Sequence, residues 1–337
     1  KRAIIDFAPK RLGTSFGEVN ELTYRPYGVA AVVGPWNFPL AIPAGMFAGA
    51  LVSGNCVVLK PAEQSSYIAQ VMFRIFIECG MPNAAAAFLP GDGETVGAPL
   101  TKDGRVKLVA FTGSKDVGLS LLGSSVSLAN AKGHIQKIIA EMGGKNAIIV
   151  DDGADLDLAI SGIIDSAFGF QGQKCSAASR VYIAKSVWSE VKKFMLRDLA
   201  TFKMGGTEDF SNFITAVIHE ASFDKLAKYI DQAKLDADAE IIIGGNYDKS
   251  IGYFIEPTVI VTTNPKYSTM EIELFGPIIT IFIYEDAEWE NILKLVDETS
   301  EYALTGAIFS QDRYAIDEAT KALQNATGNF YINDKPT

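Results

Sequence analysis

Short runs of β-branched and other apolar residues alternate with helix-like segments along most of this chain. This alternation is typical of an α/β fold with a mainly parallel sheet, because crossover helices join parallel strands. In the first part the pattern predicts strands at residues 29–33, 56–59, 86–89 and 107–111. It predicts helices at residues 42–52, 65–79, 95–101 and 115–122. We therefore expect a doubly wound nucleotide-binding layout, in which ligands bind beyond the carboxyl ends of the strands.

A second alternating set begins after Glu141. Its strands are expected at residues 147–150, 180–184, 240–243, 278–283 and 305–309. Its helices are expected at residues 156–170, 187–200, 223–233, 289–299 and 315–323. We predict a nucleotide-binding domain over residues 1–140 and a second α/β domain over residues 141–337. They are expected to meet near Gly143 and Gly144, which would give the backbone freedom to turn there.

Composition narrows the class of protein. A chain of 337 residues with 48% hydrophobic and 21% charged residues suits a soluble globular enzyme of two domains. Its net charge of −10 and the lack of a long basic run lead us to expect no nucleic-acid partner. No apolar stretch reaches the length of a bilayer span, and KRAIIDFAPK lacks the apolar core of a secretion signal, so we expect no membrane contact.

Cysteine and histidine usage narrows the chemistry. The three cysteines lie far apart and form no C-x-x-C pair, which predicts a reducing compartment and no metal site. The chain has only two histidines, His134 and His219, which makes a histidine zinc site or a Ser/His triad a poor interpretation. We expect surface or structural roles for both.

The most informative segment is FGFQGQKCSAASR, residues 168–180. It places Cys175 after a stretch containing Gly172 that can bend tightly toward a ligand, and a thiolate there would be a strong nucleophile. Cys56 within a strand and Cys79 near a helix end are better interpreted as buried structural residues.

Six motifs in a fixed order surround and include this segment. They are PWNFP (residues 35–39), KPAEQS (60–65), FTGS (111–114), EMGGK (141–145), QGQKCSAASR (171–180) and ELFGP (273–277). The ordered set resembles the aldehyde dehydrogenase superfamily along the whole chain. QGQKCSAASR and GNFYINDKPT (328–337) most resemble the branch that oxidises glutamate semialdehyde to glutamate.

The resemblance implies three catalytic roles. Cys175 would attack the aldehyde to give a thiohemiacetal and then a thioester. Glu141 would be the base that activates water for hydrolysis, although such a residue alone is more often a solvated surface charge. The side-chain amide of Asn37, held between two prolines, would form an oxyanion hole with the N–H of Cys175. Outside the family context Asn37 would be a turn residue.

The resemblance also implies NAD as cofactor. Lys60 and Glu63 would hold the adenosine ribose, and Glu63 would repel the 2′-phosphate of NADP. Gly91 opens GDGETVG, which lacks the G-x-G-x-x-G spacing, as the family's variant nucleotide fold does. The pyrophosphate would lie where a strand ends and a helix begins, at Phe111, Thr112, Gly113 and Ser114. Glu273 and Phe275 would contact the nicotinamide ribose and ring, although ELFGP alone suggests only a turn before a strand.

Substrate choice rests on fewer residues. Ser176 matches the family serine that binds the α-carboxylate of glutamate semialdehyde, and Lys174 and Phe170 would line the same pocket. In the family, the remaining carboxylate donors come from a loop immediately after NDKPT. The chain opens without methionine and ends at Thr337, so we expect a fragment of a longer protein that is a homo-oligomer when complete.

Two alternatives stay open at this point. The chain could belong to another semialdehyde or aliphatic aldehyde dehydrogenase, or it could be an inactive structural or interaction module. The joint presence of Cys175, Glu141 and Asn37 favours an active site, because a structural role requires none of their chemistries. We expect a cytoplasmic protein, or one of the mitochondrial matrix if the source is eukaryotic.

Overall fold

A computed structural model describes residue 5 and residues 7–13, 15–132 and 135–336. The chain forms two compact units, Lys1–Met142 and Gly143–Thr337. The division predicted from sequence falls after residue 140. Glu141 instead belongs to the first unit, where it is the last residue of a strand and pairs with Thr112.

The first unit contains seven strands among its described residues: β1 (Lys10–Arg11), β2 (Glu21–Leu22), β3 (Val29–Val33), β4 (Cys56–Lys60), β5 (Ala86–Phe88), β6 (Val106–Thr112) and β7 (Lys137–Glu141). Strands β1 and β2 form an antiparallel pair, and the other five form a parallel sheet in the order β5-β4-β3-β6-β7. Ala30, Ala31 and Val32 of the central strand β3 are fully buried, as expected when helices cover both faces of a parallel sheet.

Four helices of the first unit connect these strands: α1 (Ala41–Val52), α2 (Ser66–Glu78), α3 (Ala98–Lys102) and α4 (Lys115–Lys132). Two 3₁₀ turns, Glu63–Ser65 and Asn83–Ala85, and a π turn, Gly93–Gly97, lie between them. Helix α4 continues ten residues beyond the predicted end. Strand β7 was not predicted, because it lies at the sheet edge with alternating half-buried and exposed residues rather than in a continuous apolar run.

The second unit contains nine strands among its described residues: β8 (Asn146–Val150), β9 (Ala178–Ala184), β10 (Ala239–Ile243), β11 (Tyr247–Asp248), β12 (Phe254–Ile255), β13 (Thr258–Thr262), β14 (Ile278–Tyr284), β15 (Thr305–Phe309) and β16 (Asn329–Ile332). Seven form a sheet in the order β10-β13-β14-β9-β8-β15-β16, which is parallel except for the edge strand β10. Strand β13 was missed from sequence.

Six helices lie in the described part of this unit: α5 (Leu156–Phe168), α6 (Lys185–Leu199), α7 (Glu220–Leu235), α8 (Ser268–Glu271), α9 (Trp289–Glu298) and α10 (Arg313–Ala322). Successive side chains of β8 point to opposite faces of the sheet. Ala147 and Ile149 pack with α7 and α9, whereas Ile148 and Val150 pack with α5 and α6. Both faces are therefore buried, which confirms the predicted α/β class. No helix in the described part of the chain is long and apolar enough to cross a membrane.

Candidate active site

The carboxyl edge of the first sheet collects most of the predicted cofactor residues. Strands β4, β6 and β7 end at Lys60, Thr112 and Glu141, and β3 ends at Val33, four residues before Asn37. Because parallel strands end at one edge, the chain places these motifs together within the first unit. Asn37 is half-buried in the turn between β3 and α1, and Glu141 is exposed.

Lys60 and Glu63 form an ion pair, with 3.1 Å between Nζ and a carboxylate oxygen. Lys60 is buried, whereas the Glu63 side chain is 47% exposed. Partial burial raises the pKa of Glu63, but hydrogen bonds from its own backbone N–H and from Lys60 outweigh this, and the pKa is lowered. The carboxylate therefore stays ionised and can accept hydrogen bonds from a ribose.

The loop at Gly91 lies beside this pair. Gly91 has a φ of +149°, and a Cβ there would collide with Val96. Asp92 caps the following π turn by accepting from the N–H groups of Glu94 (3.0 Å) and Thr95 (2.7 Å). A Cβ added to Gly97 would lie 3.8 Å from Lys60 Cε, so the end of this turn approaches the ion pair.

The FTGS segment joins β6 to α4 as predicted. Gly113 donates its N–H to the carbonyl of Glu141 at 3.0 Å, and a Cβ on Gly113 would collide with the Phe111 ring. Ser114 Oγ accepts from Val117 N at 3.4 Å at the start of α4. The proposed base is therefore anchored next to a helix N-terminus, where the orientation of the N–H groups favours an anion.

The loop before Cys175 has an unusual backbone conformation. Helix α5 ends at Phe168, two residues before the predicted end, and Phe170, Gln171 and Gly172 have φ values of 55°, 56° and 64°. Left-handed conformation is uncommon for residues other than glycine and costs roughly 1–2 kcal/mol per residue. Phe170 and Gln171 bear this cost and Gly172 does not, and the three residues lead the chain to the half-buried Cys175.

Two buried glutamines hold this left-handed turn. Gln173 accepts from Ile218 N at 2.9 Å. Gln171, with its amide oriented to satisfy its neighbours, accepts from the N–H and hydroxyl of Thr215 at 3.0 and 3.1 Å. Neither role was predicted from sequence. The two amide side chains that flank Gly172 could have indicated these roles, since buried amides require hydrogen-bond partners.

The glycines of EMGGK permit close contacts rather than a turn. Backbone freedom was predicted for them from sequence, but neither has a left-handed φ. A Cβ on Gly143 would collide with the Glu273 carboxylate, and one on Gly144 would collide with the carbonyl oxygen of Cys175. Gly144 also donates its N–H to Glu273 Oε1 at 2.8 Å. This segment thus connects Glu273 to the backbone of the nucleophile.

The ELFGP segment contacts the same loop. A Cβ on Gly172 would collide with the Gly276 carbonyl, and Phe275 has a left-handed φ of 60°. ELFGP is therefore more than a turn before β14, because its backbone packs against the loop that presents Cys175. Its predicted contacts with the nicotinamide and ribose, through Glu273 and Phe275, stay predictions.

Two lysines, the buried Lys145 and the exposed Lys225, influence the carboxylate of Glu273. Burial raises its pKa, opposed by the hydrogen bond from Gly144 and by the charges of Lys225 and Lys145. Lys145 is only 2% exposed. Burial, reinforced by the neighbouring charge of Arg180, lowers the pKa of Lys145 to about 7, even though Glu273 favours its charged form. Near neutral pH, Lys145 is therefore divided between its charged and neutral forms.

Lys145 makes the stability of the second unit depend on pH. Its folded-state pKa of about 7 lies below its ordinary value of 10.5. Between these values the unfolded chain binds a proton that the folded chain does not, so stability rises with pH. Below the folded-state pKa the penalty for the buried charge is full. We expect the unfolding free energy of wild type minus that of Lys145→Met to increase by about 2 kcal/mol between about pH 7 and about pH 9.

Urea unfolding of both proteins across this pH range measures the difference. Lys228→Met is the control, because it makes the same substitution at an exposed position of α7. A wild-type minus Lys145→Met difference that varies with pH no more than the difference for Lys228→Met would show that Lys145 keeps its proton throughout.

The predicted substrate-binding residues lie on the same loop as Cys175. Ser176 is 8% exposed, and its carbonyl accepts from Thr305 Oγ1 at 3.2 Å. Lys174 is half-buried near Gly169, and the Phe170 side chain is 47% exposed. Their contacts with a substrate stay predictions.

The NDKPT segment is held close to these residues. Ser166 Oγ accepts from Ala178 N at 3.0 Å and donates to the Pro336 carbonyl at 2.6 Å. Lys335 forms an ion pair with Asp165 at 2.8 Å. The end of the described chain is therefore tied to the start of β9, three residues after Cys175.

The structure also tests the predictions for the other two cysteines and for one of the two histidines. Cys56 and Cys79 are exposed, so the expectation of buried cysteines was wrong. Cys56 is the first residue of β4, and Cys79 directly follows α2, where side chains reach solvent. His219 has the expected structural role, since its Nδ1 accepts from Ser222 N at 3.0 Å and caps α7. His134 lies outside the described residues.

The sheets and ordered motifs define a two-unit α/β protein with a cysteine-bearing loop of the dehydrogenase type. The chain belongs to the aldehyde dehydrogenase family, whose sequence model matches residues 4–337. It is 41% identical over 326 residues to the mitochondrial delta-1-pyrroline-5-carboxylate dehydrogenase of Dictyostelium discoideum, covering 96% of this chain and 58% of the relative. It is 39% identical over 317 residues to 1-pyrroline-5-carboxylate dehydrogenase of Bacillus subtilis, covering 94% and 60%.

A solved structure gives the same result. The crystal structure of 1-pyrroline-5-carboxylate dehydrogenase from Thermus with bound NAD matches with a TM-score of 0.93 and 36% identity. The match covers all of this chain and 64% of the Thermus chain. The chain thus spans about three fifths of the length of these relatives.

Proposed function

We propose that the protein oxidises L-glutamate semialdehyde, the open form of 1-pyrroline-5-carboxylate, to L-glutamate in proline catabolism. The Cys175 thiolate adds to the aldehyde carbon and forms a thiohemiacetal, whose alkoxide the Asn37 amide and the Cys175 N–H stabilise. Loss of hydride leaves a thioester on Cys175. Glu141 then removes a proton from water, and attack of that water releases glutamate and the thiolate.

The observation that carries this proposal is the left-handed turn before Cys175. Two consecutive residues other than glycine, Phe170 and Gln171, have a costly left-handed conformation, and buried glutamine side chains hold the turn, which indicates a loop whose shape matters for function. A half-buried cysteine at the end of such a loop fits a nucleophile better than a packing residue. The 1-pyrroline-5-carboxylate dehydrogenases to which the chain is similar suggest the substrate.

NAD is the proposed hydride acceptor. The ionised and partly exposed Glu63 suits ribose hydroxyls and disfavours a 2′-phosphate, and the FTGS turn suits a pyrophosphate. Bound NAD would accept the hydride in this oxidation. Lys60, Glu63, Gly91 and residues 111–114 would hold its adenosine end, while Glu273 and Phe275 would hold the nicotinamide end.

Substrate selection is assigned to three residues of the nucleophile loop. Ser176 would bind the α-carboxylate, while Lys174 and Phe170 would line the pocket. We place the protein in the cytoplasm, or in the mitochondrial matrix if its source is eukaryotic, and expect a homo-oligomer with a small-molecule substrate as its partner.

A direct assay separates this function from the alternatives. We expect kcat/KM with NAD to be at least about 100-fold higher for glutamate semialdehyde than for propionaldehyde, because a site that binds a carboxylate loses one or more charge-assisted hydrogen bonds with an aldehyde lacking it. Equal values would favour a general aliphatic aldehyde dehydrogenase. No reaction with either, alongside retained NAD binding, would favour an inactive module.

A further inference from the structure

Asn146 contacts the nucleophile loop through the nitrogen of its side-chain amide. Its side-chain Nδ2 donates to the carbonyl oxygens of Cys175 at 2.7 Å and Ala177 at 2.8 Å. Its Oδ1 accepts from Thr305 N at 3.0 Å. An amide has two N–H donors, so both are used on the nucleophile loop while the oxygen is anchored to β15.

The strand pairing explains why a side chain is needed here. Asn146 of β8 pairs with Ala178 of β9, but the next residue, Ala147, pairs with Arg180. Ser179 is therefore an extra residue, and this β-bulge interrupts the ladder just where β9 begins. The carbonyls that precede the bulge lie beyond the regular ladder, and the Asn146 amide satisfies two of them.

We call the Asn146 side chain, with its bonds to the Cys175 and Ala177 carbonyls, the clamp. Burial and packing leave the clamp little freedom to move. Asn146 is 1% exposed, and a Cβ on Gly144 would contact its amide as well as the Cys175 carbonyl. Thr305 adds a second link from β15, because its hydroxyl donates to the Ser176 carbonyl at 3.2 Å. The carbonyls of Cys175, Ser176 and Ala177 are thus all held by side chains of β8 and β15. A fully satisfied buried polar network specifies one geometry.

The clamp lies directly after the left-handed turn of residues 170–172. Strained backbone persists only where its surroundings over-determine it. The glutamines hold the turn before Cys175, and Asn146 holds the backbone after it. We propose that Asn146 is a positioning residue that fixes the backbone on the carboxyl side of Cys175 and so presents the thiol in one reactive orientation. The inference rests on Cys175 being the nucleophile of the proposed function.

Asn55 provides a matched control. It is also a buried asparagine, 5% exposed, with three hydrogen bonds to backbone. Its Oδ1 accepts from Tyr27 N at 2.8 Å and Gly28 N at 3.2 Å, and its Nδ2 donates to the Ala50 carbonyl at 3.1 Å. These bonds lie at the amino ends of β3 and β4, away from the carboxyl edge that holds the cofactor motifs. Truncating Asn55 should lower stability as truncating Asn146 does.

The test compares Asn146→Ala, Asn146→Ser and Asn55→Ala in a Cys56→Ser, Cys79→Ser background, which leaves Cys175 as the one thiol. The first measurement is the burst of p-nitrophenolate released when p-nitrophenyl acetate acylates Cys175, which needs neither cofactor nor semialdehyde. The second is NAD-dependent turnover with glutamate semialdehyde, alongside the Kd of NAD. The third is hydrogen exchange of the peptide that covers residues 170–177.

We expect Asn146→Ala to slow acylation and kcat by about 100-fold, the effect of misplacing a reacting group by about 1 Å, with the NAD Kd unchanged. Asn146→Ser keeps one donor, so it should recover part of the rate. Exchange in residues 170–177 should accelerate in Asn146→Ala, to a smaller extent in Asn146→Ser, and not in Asn55→Ala. Asn55→Ala should stay within about 3-fold of the background rates. Its hydrogen bonds lie at the amino ends of β3 and β4, and a loss of stability there does not move the reacting atoms.

Three results would overturn the clamp as a positioning device. These are rates for Asn146→Ala that match those of Asn55→Ala, unchanged exchange in the loop, or a lower kcat explained wholly by weaker NAD binding. If Asn146→Ala does not fold, Asn146→Ser is judged by the same criteria. A background protein whose Cys175 is not acylated at all would instead refute Cys175 as the nucleophile, and with it the proposed function.

Discussion

Cys175→Ser should abolish aldehyde oxidation, with kcat reduced by at least about four orders of magnitude. Near neutral pH an alcohol is a far poorer nucleophile than a thiolate, so no thiohemiacetal forms and no hydride is released. The Cys175 carbonyl, which accepts from Asn146 Nδ2 at 2.7 Å, is unchanged by the substitution, so the backbone of the loop stays held. The fold and the NAD Kd should therefore be retained.

The chain contains its own controls for this substitution. Cys56 and Cys79 are exposed, so Cys56→Ser and Cys79→Ser make the same chemical change outside the predicted site. Both should keep wild-type kcat within about 2-fold, as surface substitutions usually have little effect. Steady-state NADH formation gives kcat for each variant, and calorimetric titration gives the Kd of NAD. More than a few per cent of activity in Cys175→Ser would remove Cys175 from the nucleophilic role.

The pattern of residues predicted most strands of the two large sheets, but it missed strands such as β7 at a sheet edge and β13 in a sheet interior. Strands β3 and β15 match their predicted bounds, because a strand covered on both faces is a continuous apolar run between turns. The edge strand β7, with the sequence KIIAE, lacks that signal and was missed although it ends in the proposed base. Exposed positions at the sheet margin also explain why Cys56 was wrongly expected to be buried.

The residues of the candidate site also differ in how well the sequence predicts them. Ordered motifs predicted the residues that are proposed to carry the chemistry, since a thiol, a carboxylate and an amide have recognisable functions. The supporting residues have no such signature. Asn146 begins a buried strand and resembles any strand-flanking polar residue in sequence, and its role emerges only when the bulge at Ser179 brings the Cys175 carbonyl to its side chain. Gly143 and Gly144 were noticed but assigned to flexibility, whereas their lack of a side chain allows contact with Glu273 and Cys175.

Glu141→Gln should separate the two halves of the reaction. An amide at this position is nearly isosteric with the carboxylate but cannot accept a proton from water, so the thioester on Cys175 should form and then persist. Glu141 ends β7, and its carbonyl, which is unaltered by the substitution, accepts the N–H of Gly113. The backbone of the FTGS turn should therefore be preserved, along with NAD binding.

Rapid mixing with saturating NAD and glutamate semialdehyde tests this expectation. We expect a burst of about one NADH per site followed by a steady-state rate reduced by about 100- to 10,000-fold, the usual range for loss of a general base. Mass spectrometry of the quenched protein should find the glutamyl thioester on the tryptic peptide that begins at Cys175. Glu240→Gln, on the exposed edge strand β10, is the control and should turn over normally without a burst. Normal cycling of Glu141→Gln would mean that another group activates the water, because a thioester that hydrolyses at the wild-type rate does not depend on this carboxylate.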